Sequence, residues 1–535
     1  MRGGRSAPSL RRTRFVLSTI AAGVTFAPAG AAKPTLTFEW TPVVNNGDVM
    51  PGSTKTFNSY NQPSVNAAGL VVFRARGKGP GEPPHGIYVR DMRRDGGITK
   101  IFDRTSVVPD PNPLGRTFIE FPSFPRIDRD SAVLATRGNH QPVATSSDGE
   151  AVGTTGIYAN PRTTPVTGAA QLAAVPGLSF FAVPGAAPGT RFDVFPGAPA
   201  VSDGNVIVFK GNYTEDAIGK TGVYFRELRV GGPGNTLPIQ LLANTATPIP
   251  GAPGLTFGST APPSAAEGQA VFTGLDNEAA PTAGGIYLVP LEPSPELTTL
   301  VRIGSRVPDR TGRATASSFN RLGEGLSFDG RFVGFWGAWG SAVRTVTLHC
   351  PTEGNAQRRA YCLVECPEPA GCTRDVPTGQ GMFVHDTWTG ITRMAAETGD
   401  RYRDFLFWNF SGKVPGTADE DDGEPARWRF AAFAAVDSST SGTFQLAFKA
   451  ATTQGSAIDL AAGPGKSLQQ PQPIVDTTLD GGELDVAAAG LPITEVGLER
   501  DGFRNGWLVV NARMGTEEAG WAGIYVAHIA ANAPR

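Results

Sequence analysis

Histidine is scarce in this chain, with five residues in 535, at positions 85, 140, 349, 385 and 528. None belongs to an HExxH pair, and neither a GxSxG elbow nor a Gly-rich loop ending in Lys-Ser/Thr occurs. Those absences exclude the linear signatures of zinc proteases, α/β-hydrolases and P-loop nucleotide enzymes. They do not exclude catalysis by groups gathered from distant segments. Charge is sparse too: Asp, Glu, Lys and Arg make up 18% of the residues, and the formal net charge is −2. A chain so balanced is a poor candidate for nucleic-acid or anionic-membrane binding. Past residue 35 helical periodicity is nearly absent, and no later apolar run is long enough to span a bilayer.

Glycine (67) and proline (45) are abundant, about a fifth of the chain together. They separate short runs of Val, Ile, Phe and Tyr, which is the pattern of strands and turns. The fold class is therefore all-β.

The first 32 residues are of another kind. MRGGRSAPSLRRTRF carries five arginines and no acid, FVLSTIAAGVTF is apolar, and Ala29-Gly30-Ala31 offers a small-residue cleavage site. That order is the order of a secretory signal peptide. Its removal takes the formal charge from −2 to −7 and predicts a secreted, periplasmic or extracellular protein.

After the leader the chain repeats one phrase. PSVNAAGLVVFRA (63–75), APAVSDGNVIVFKG (198–211) and PPSAAEGQAVFTG (262–274) each precede Gly-Ile-Tyr or Gly-Val-Tyr. The aromatic of that tripeptide is a marker at Tyr88, Tyr158, Tyr224, Tyr287, Phe383, Phe444 and Tyr525. A strand lies upstream of each marker and another downstream, ending in a Pro/Gly-rich link. With a short strand at the Pro-Ser/Ala-Val position, each unit has four strands. A four-stranded unit cannot bury both faces alone, so seven of them predict a seven-bladed β-propeller spanning 33–535. The seventh unit stops after GIYVAHIAANAPR without a fourth strand, whereas LTFEWTPVVNNGDVMPG begins the mature chain as a fourth strand without a unit. Pairing of the two closes the ring and removes two sheet edges.

NAAGLVVF and AAEGQAVF resemble the bacterial tandem repeat built on Asn-x-x-Gly-x-x-Ala-Phe. LSFDGRFVGFWGA (326–338) with GMFVHDTWTGITRMA (381–395) resembles the TolB-like propeller repeat. The resemblance implies a propeller and carries no catalytic residue with it.

Cys350, Cys362, Cys366 and Cys372 cluster in the fifth unit. In an oxidising compartment, without the paired CxxC spacing of a zinc ribbon, they predict two disulfides stapling an insertion at about 341–380. Three pairings are open. No cofactor is expected, although ADEDDGE at 418–424 leaves room for a structural calcium ion.

In a four-stranded blade, the loops from second to third strand share a face with the links between blades. Here those loops are long and variable, which makes that face the candidate binding face. His85, His140, Tyr213, Trp339 and Trp521 are its candidate ligand-binding residues, whereas Trp336 reads as core. The function that follows is a binding or interaction module for an extracellular or cell-surface protein or glycan. The alternative is an extracellular hydrolase or lyase acting on polysaccharide or another polymer.

Overall fold

The computed structural model describes residues 38–529 apart from 80–83, 95, 109–115, 141–143, 146–150, 153, 161–170, 175–181, 229–236, 353–354, 400, 416–424, 439–441, 464–469 and 517–518. The leader and the ADEDDGE run lie outside the described residues. Seven small antiparallel sheets are arranged as a seven-bladed β-propeller. We letter the strands of each blade A to D from the axis outwards.

Blade 1 shows the plan. Strand A is broken into Phe57–Tyr60 and Ser64–Val65, both pairing with strand B at Leu70–Gly77. Strand B pairs with C at His85–Asp91, and C with D at Thr99–Asp103. The recurring phrase follows from this packing. The marker Tyr88 stands edge-on to Phe57 of strand A, centroids 5.1 Å apart at 87°. Phe118–Tyr158 (4.8 Å), Phe192–Tyr224 (4.9 Å), Phe257–Tyr287 (5.3 Å) and Phe319–Phe383 (5.0 Å) repeat that geometry in blades 2 to 5. The glycine two places earlier lets strand D come close: a Cβ on Gly86 would lie 2.8 Å from the Phe102 carbonyl oxygen. Apolar clusters fill the space between neighbouring blades, with Val509 and Ile524 of blade 7 packed among Val71, Phe73 and Tyr88 of blade 1.

Closure is as expected. Trp40–Asn45 is strand D of blade 7, pairing antiparallel with Trp521–His528 (Trp40↔Ala527, Pro42↔Tyr525, Asn45↔Gly523). Val43 and Val44 are fully buried, and Phe38 and Trp40 pack on the cluster that holds Tyr525.

One unit departs from the repeat, since Phe444 lies in its second strand and not its third. In blade 6, Phe444 opens strand B (Phe444–Thr452), strand C is Ser456–Gly463 and strand D is Gln472–Asp476. The third-strand marker there falls at Asp459, opposite Phe448. Upstream of Phe444, where the repeat calls for strand B, Ala434–Ser438 is instead the second half of a strand A that is interrupted by an insertion.

On the face that carries the A–B turns, side chains reach from one blade to the next. Asn66 Nδ2 donates to the Ser131 carbonyl (2.8 Å), and Ser202 Oγ accepts from Gly268 N (3.1 Å). The Asp437 carboxylate accepts from Asn505 N and Gly506 N (both 2.8 Å), and Asn505 Nδ2 donates to Ala67 O (3.1 Å). A polar belt thus runs beside the apolar interfaces between blades.

Candidate binding face

The opposite face carries the B–C loops, and in blade 5 strands B and C run far beyond the sheet. Phe332–Leu348 pairs with Cys372–Asp386 from Phe332↔Asp386 to Trp339↔Gly379, shifts register, and continues from Val343↔Pro377 to Leu348↔Cys372. The tip folds into a helix, Ala356–Glu365, whose N-cap Asn355 accepts from Arg358 N. Disulfides Cys350–Cys362 (S–S 2.09 Å) and Cys366–Cys372 (1.97 Å) staple it. Both lie within 341–380, and bonded sulfurs are not available as thiolate ligands.

A second excursion meets it, and sequence reading missed this one. Strand A of blade 6 breaks after Tyr402–Asp404, and a hairpin of Phe407–Ser411 with Arg427–Ala431 rises from the break. Cys362, Cys366 and Phe410 form a small buried cluster with Tyr361 and Trp428 against them. Trp428 Nε1 donates to Cys366 Sγ (3.2 Å), and Arg358 Nε to Gly412 O (3.1 Å). Arg427 reaches Glu278 in the B–C loop of blade 4 (3.4 Å). Two excursions therefore make one cap above blades 4 to 6, with its own core. Its surface shows Val343, Leu363, Val364 and Phe430 at 57, 46, 74 and 41% exposure.

The five sequence candidates stand in five different blades, and the structure gives each its own local partners. Trp339 is half-buried edge-on to Phe383 (6.0 Å) and over Gly379. Trp521 Nε1 donates to Asp485 Oδ2 (3.0 Å), the carboxylate that also holds Asn45 of the closing strand (2.8 Å). Tyr213, His85 and His140 lie in strands rather than loops, 2, 2 and 0% exposed. Strands B and C of these blades run further before turning than the residue pattern suggested, which draws all three inward.

His85 belongs to an ion cluster between blades 1 and 2. Its Nε2 accepts from Arg74 Nε (2.7 Å) and its Nδ1 faces Glu120 (3.4 Å), the pattern of the neutral Nδ1–H tautomer. Burial pushes the His85 pKa down to about 4, and Arg74 adds to that. Burial alone would raise the Glu120 carboxyl, but His85, Arg74 (2.5 Å) and Arg76 (2.7 Å) outweigh it and hold the group well below the usual carboxylate range. Both ring nitrogens and both carboxylate oxygens are engaged, so the cluster joins blades and leaves no spare base.

The axis is plugged. Residues 499–501, at the break in strand A of blade 7, touch the inner strands of four other blades. Asp501 O accepts from Val65 N of blade 1 (3.0 Å), and its carboxylate is bound by Arg126 of blade 2 and by Arg504. Arg500 Nη1 donates to Pro262 O of blade 4 (3.2 Å), while Arg500 O accepts from Ser327 Oγ of blade 5 (2.6 Å). Arg126 adds bonds to Pro263 O (3.0 Å) and Ser264 Oγ (2.9 Å). Arg126, Glu499, Asp501 and Arg504 are at most 5% exposed. Burial would raise the Asp501 carboxyl, but Arg126 and Arg504 hold it down, whereas burial keeps Glu499 raised. The signal lay in plain view: Arg126 occupies the place of Ser64, Ala200, Ser264, Ser327 and Ala435 in the repeat.

No protein-family model and no curated protein matches the chain. Among solved structures, prolyl oligopeptidase B from Galerina marginata aligns over 86% of this chain at 8% identity, TM-score 0.36. This chain covers 47% of that protein, about half its length. The periplasmic gluconolactonase of Pseudomonas aeruginosa aligns over 78% of this chain and 97% of its own, at 13% identity and TM-score 0.25. Fructan 1-exohydrolase IIa from Cichorium intybus aligns over 91% and 96%, at 9% identity and TM-score 0.27. Nothing about activity passes to this chain from likenesses so distant.

Proposed function

We propose that this chain is a secreted propeller of the TolB-like repeat kind that works as a binding module, taking an extracellular glycan or protein on the face of the B–C loops. One observation carries the reading. Two excursions from different blades carry a helix, a hairpin and two disulfides into a cap with its own small core, beyond the Val346, Val376 and Trp408 contacts by which their bases join the core of blades 5 and 6. A rigid cap with exposed apolar side chains is a means of presenting a fixed surface. The leader and the disulfides fit an oxidising compartment. The alternative, a polysaccharide hydrolase or lyase, calls for an acid and a base free to act at the axis. There, Glu499 faces Arg500 (3.3 Å), and Asp501 is held by Arg126 and Arg504.

The test is a glycan array read beside a panel of polymer hydrolase assays, using the mature chain and a variant with 349–371 replaced by a short turn and Cys372→Ser. Retention on a glycan class, lost in the variant at unchanged melting temperature, is the expected result. Turnover of a polymer by both proteins would refute the binding reading.

A further inference from the structure

A cleft of about 320 Å³ opens at the foot of the cap, between blades 5 and 6, lined by Arg344, Thr378, Thr398, Gly399, Tyr402 and Arg403. Its position follows from the topology. Arg344 and Thr378 stand where strands B and C of blade 5 leave the sheet, and Thr398 and Gly399 lead from strand D towards the next blade. Tyr402 and Arg403 open strand A of blade 6. All belong to the face of the B–C loops and inter-blade links.

The charge there is lopsided. Arg344 is pinned by Asp404 and by the Arg403 carbonyl (3.3 Å). Arg401 is held by Asp459 (2.5 Å) and lies 5.3 Å from the Tyr402 ring centroid. Asp404 and Asp459, 6 and 0% exposed, are thus each committed to an arginine already. Arg403 is exposed and, among the described residues, has no ion partner. Three guanidinium groups, those of Arg344, Arg401 and Arg403, therefore meet two buried acids, in a chain whose net charge is negative. The hydroxyls are spoken for as donors: Thr398 Oγ1 gives to Thr378 O (2.6 Å), and Thr378 Oγ1 to Ala342 O (3.1 Å). Thr398 Oγ1 also accepts from Gln380 N (3.1 Å), which leaves the lone pairs of Thr378 Oγ1 to accept from a ligand hydroxyl.

A guanidinium fork without a partner, as on Arg403, matches the oxygens of a carboxylate or of a tetrahedral oxyanion such as sulfate, and a hydroxyl acceptor suits a polyhydroxylated ligand. The volume is at the small end for ligand clefts, which suits a sugar unit better than a protein segment. We propose that this cleft binds the carboxylate or sulfate group of an acidic polysaccharide, an assignment that rests on the binding face argued above and names what it takes.

The test measures binding of oligogalacturonate, a heparin-derived oligosaccharide, a neutral cello-oligosaccharide and polyglutamate to the mature chain, to Arg403→Ala and to Arg403→Glu. Arg94→Ala, on a C–D turn of the opposite face with its side chain 86% exposed, controls for net charge. Expected are salt-sensitive binding of one or both acidic sugars, a loss on the order of tenfold in Arg403→Ala, abolition in Arg403→Glu, and no change in Arg94→Ala. The two acidic sugars separate uronate from sulfate recognition. Unchanged binding in Arg403→Ala, or equal competition by polyglutamate, would overturn the assignment. Neutral-glycan binding that needs residues 349–371 but ignores Arg403 would overturn it while sparing the binding face. Failure of every glycan to bind would sink both.

Discussion

Arg126 shows what one residue can do in a repeat. At its position five blades keep Ser or Ala, small side chains that leave room at the axis, and blade 2 fills it with a guanidinium. Because both groups are desolvated there, removal of either one takes a counter-charge out of a buried cluster in which only Arg504 and Glu499 remain to offset the other. Arg126→Met or Asp501→Asn should each cost about 3–5 kcal/mol, and the double variant should lose less than the sum, read by a denaturant-midpoint double-mutant cycle. A second residue-scale prediction concerns acid. His85 and His385 are both held neutral by burial, at about pKa 4 against 6.5 for the unfolded chain. Above pH 6.5 neither matters. Between pH 6.5 and 4 the unfolded state takes up protons that the folded state refuses, so each costs roughly 3 kcal/mol by pH 4. Carboxylates act in both senses below that range, so the variant isolates the histidine contribution: His385→Gln should flatten the fall in melting temperature between pH 6.5 and 4 relative to the native chain.

At the scale of elements, the cap should come apart from the ring. The strand pairing from Phe332↔Asp386 to Trp339↔Gly379 lies outside both disulfide loops, and those loops close only 12 and 6 residues. Their stabilisation, about 2–3 kcal/mol on chain-entropy grounds, falls on the tip. Replacing all four cysteines by serine should expose residues 349–371 to protease while the main thermal transition stays within about 3 °C. Mass spectrometry of the fragments checks it. The same elements show where the sequence was readable. Blades 1 to 5 were legible because Tyr or Phe must meet a strand-A aromatic edge-on and the glycine must let strand D approach, constraints that fix residue types. Blade 6 was not, because an Asp holds the marker place and Phe444 mimics it one strand early. The hairpin at 407–431 hid inside a strand, where no repeat spacing announces an insertion. The candidate face was legible as the home of the long loops. The cleft was not, because Arg344 and Arg403 come together only through a link between blades.

For the whole molecule, closure joins residues nearly 500 positions apart. Deleting residues 38–45 exposes the edge of strand C in blade 7 and uncovers Val43 and Val44, each worth about 1.5–3 kcal/mol of burial, besides the ladder itself. A fall of about 10 °C or more in melting temperature, or aggregation, is expected in differential scanning calorimetry. A melting point within a few degrees of the native chain would mean that the ring holds without that strand.

The plug at 499–501 also sets a calendar. A ribosome that has delivered blades 1 to 6 has made every inner strand that this segment binds, yet none of those contacts can form until Asp501 emerges. Each blade can fold as it appears, since its sheet is local in sequence. The hub cannot be built in instalments, because its bonds to blades 1, 2, 4 and 5 start from the last blade to be made. Such long-range contacts are slow to find. Until they form, neighbouring blades can pack on one another, but the faces of blades 1 and 6 that meet blade 7 stand open to water.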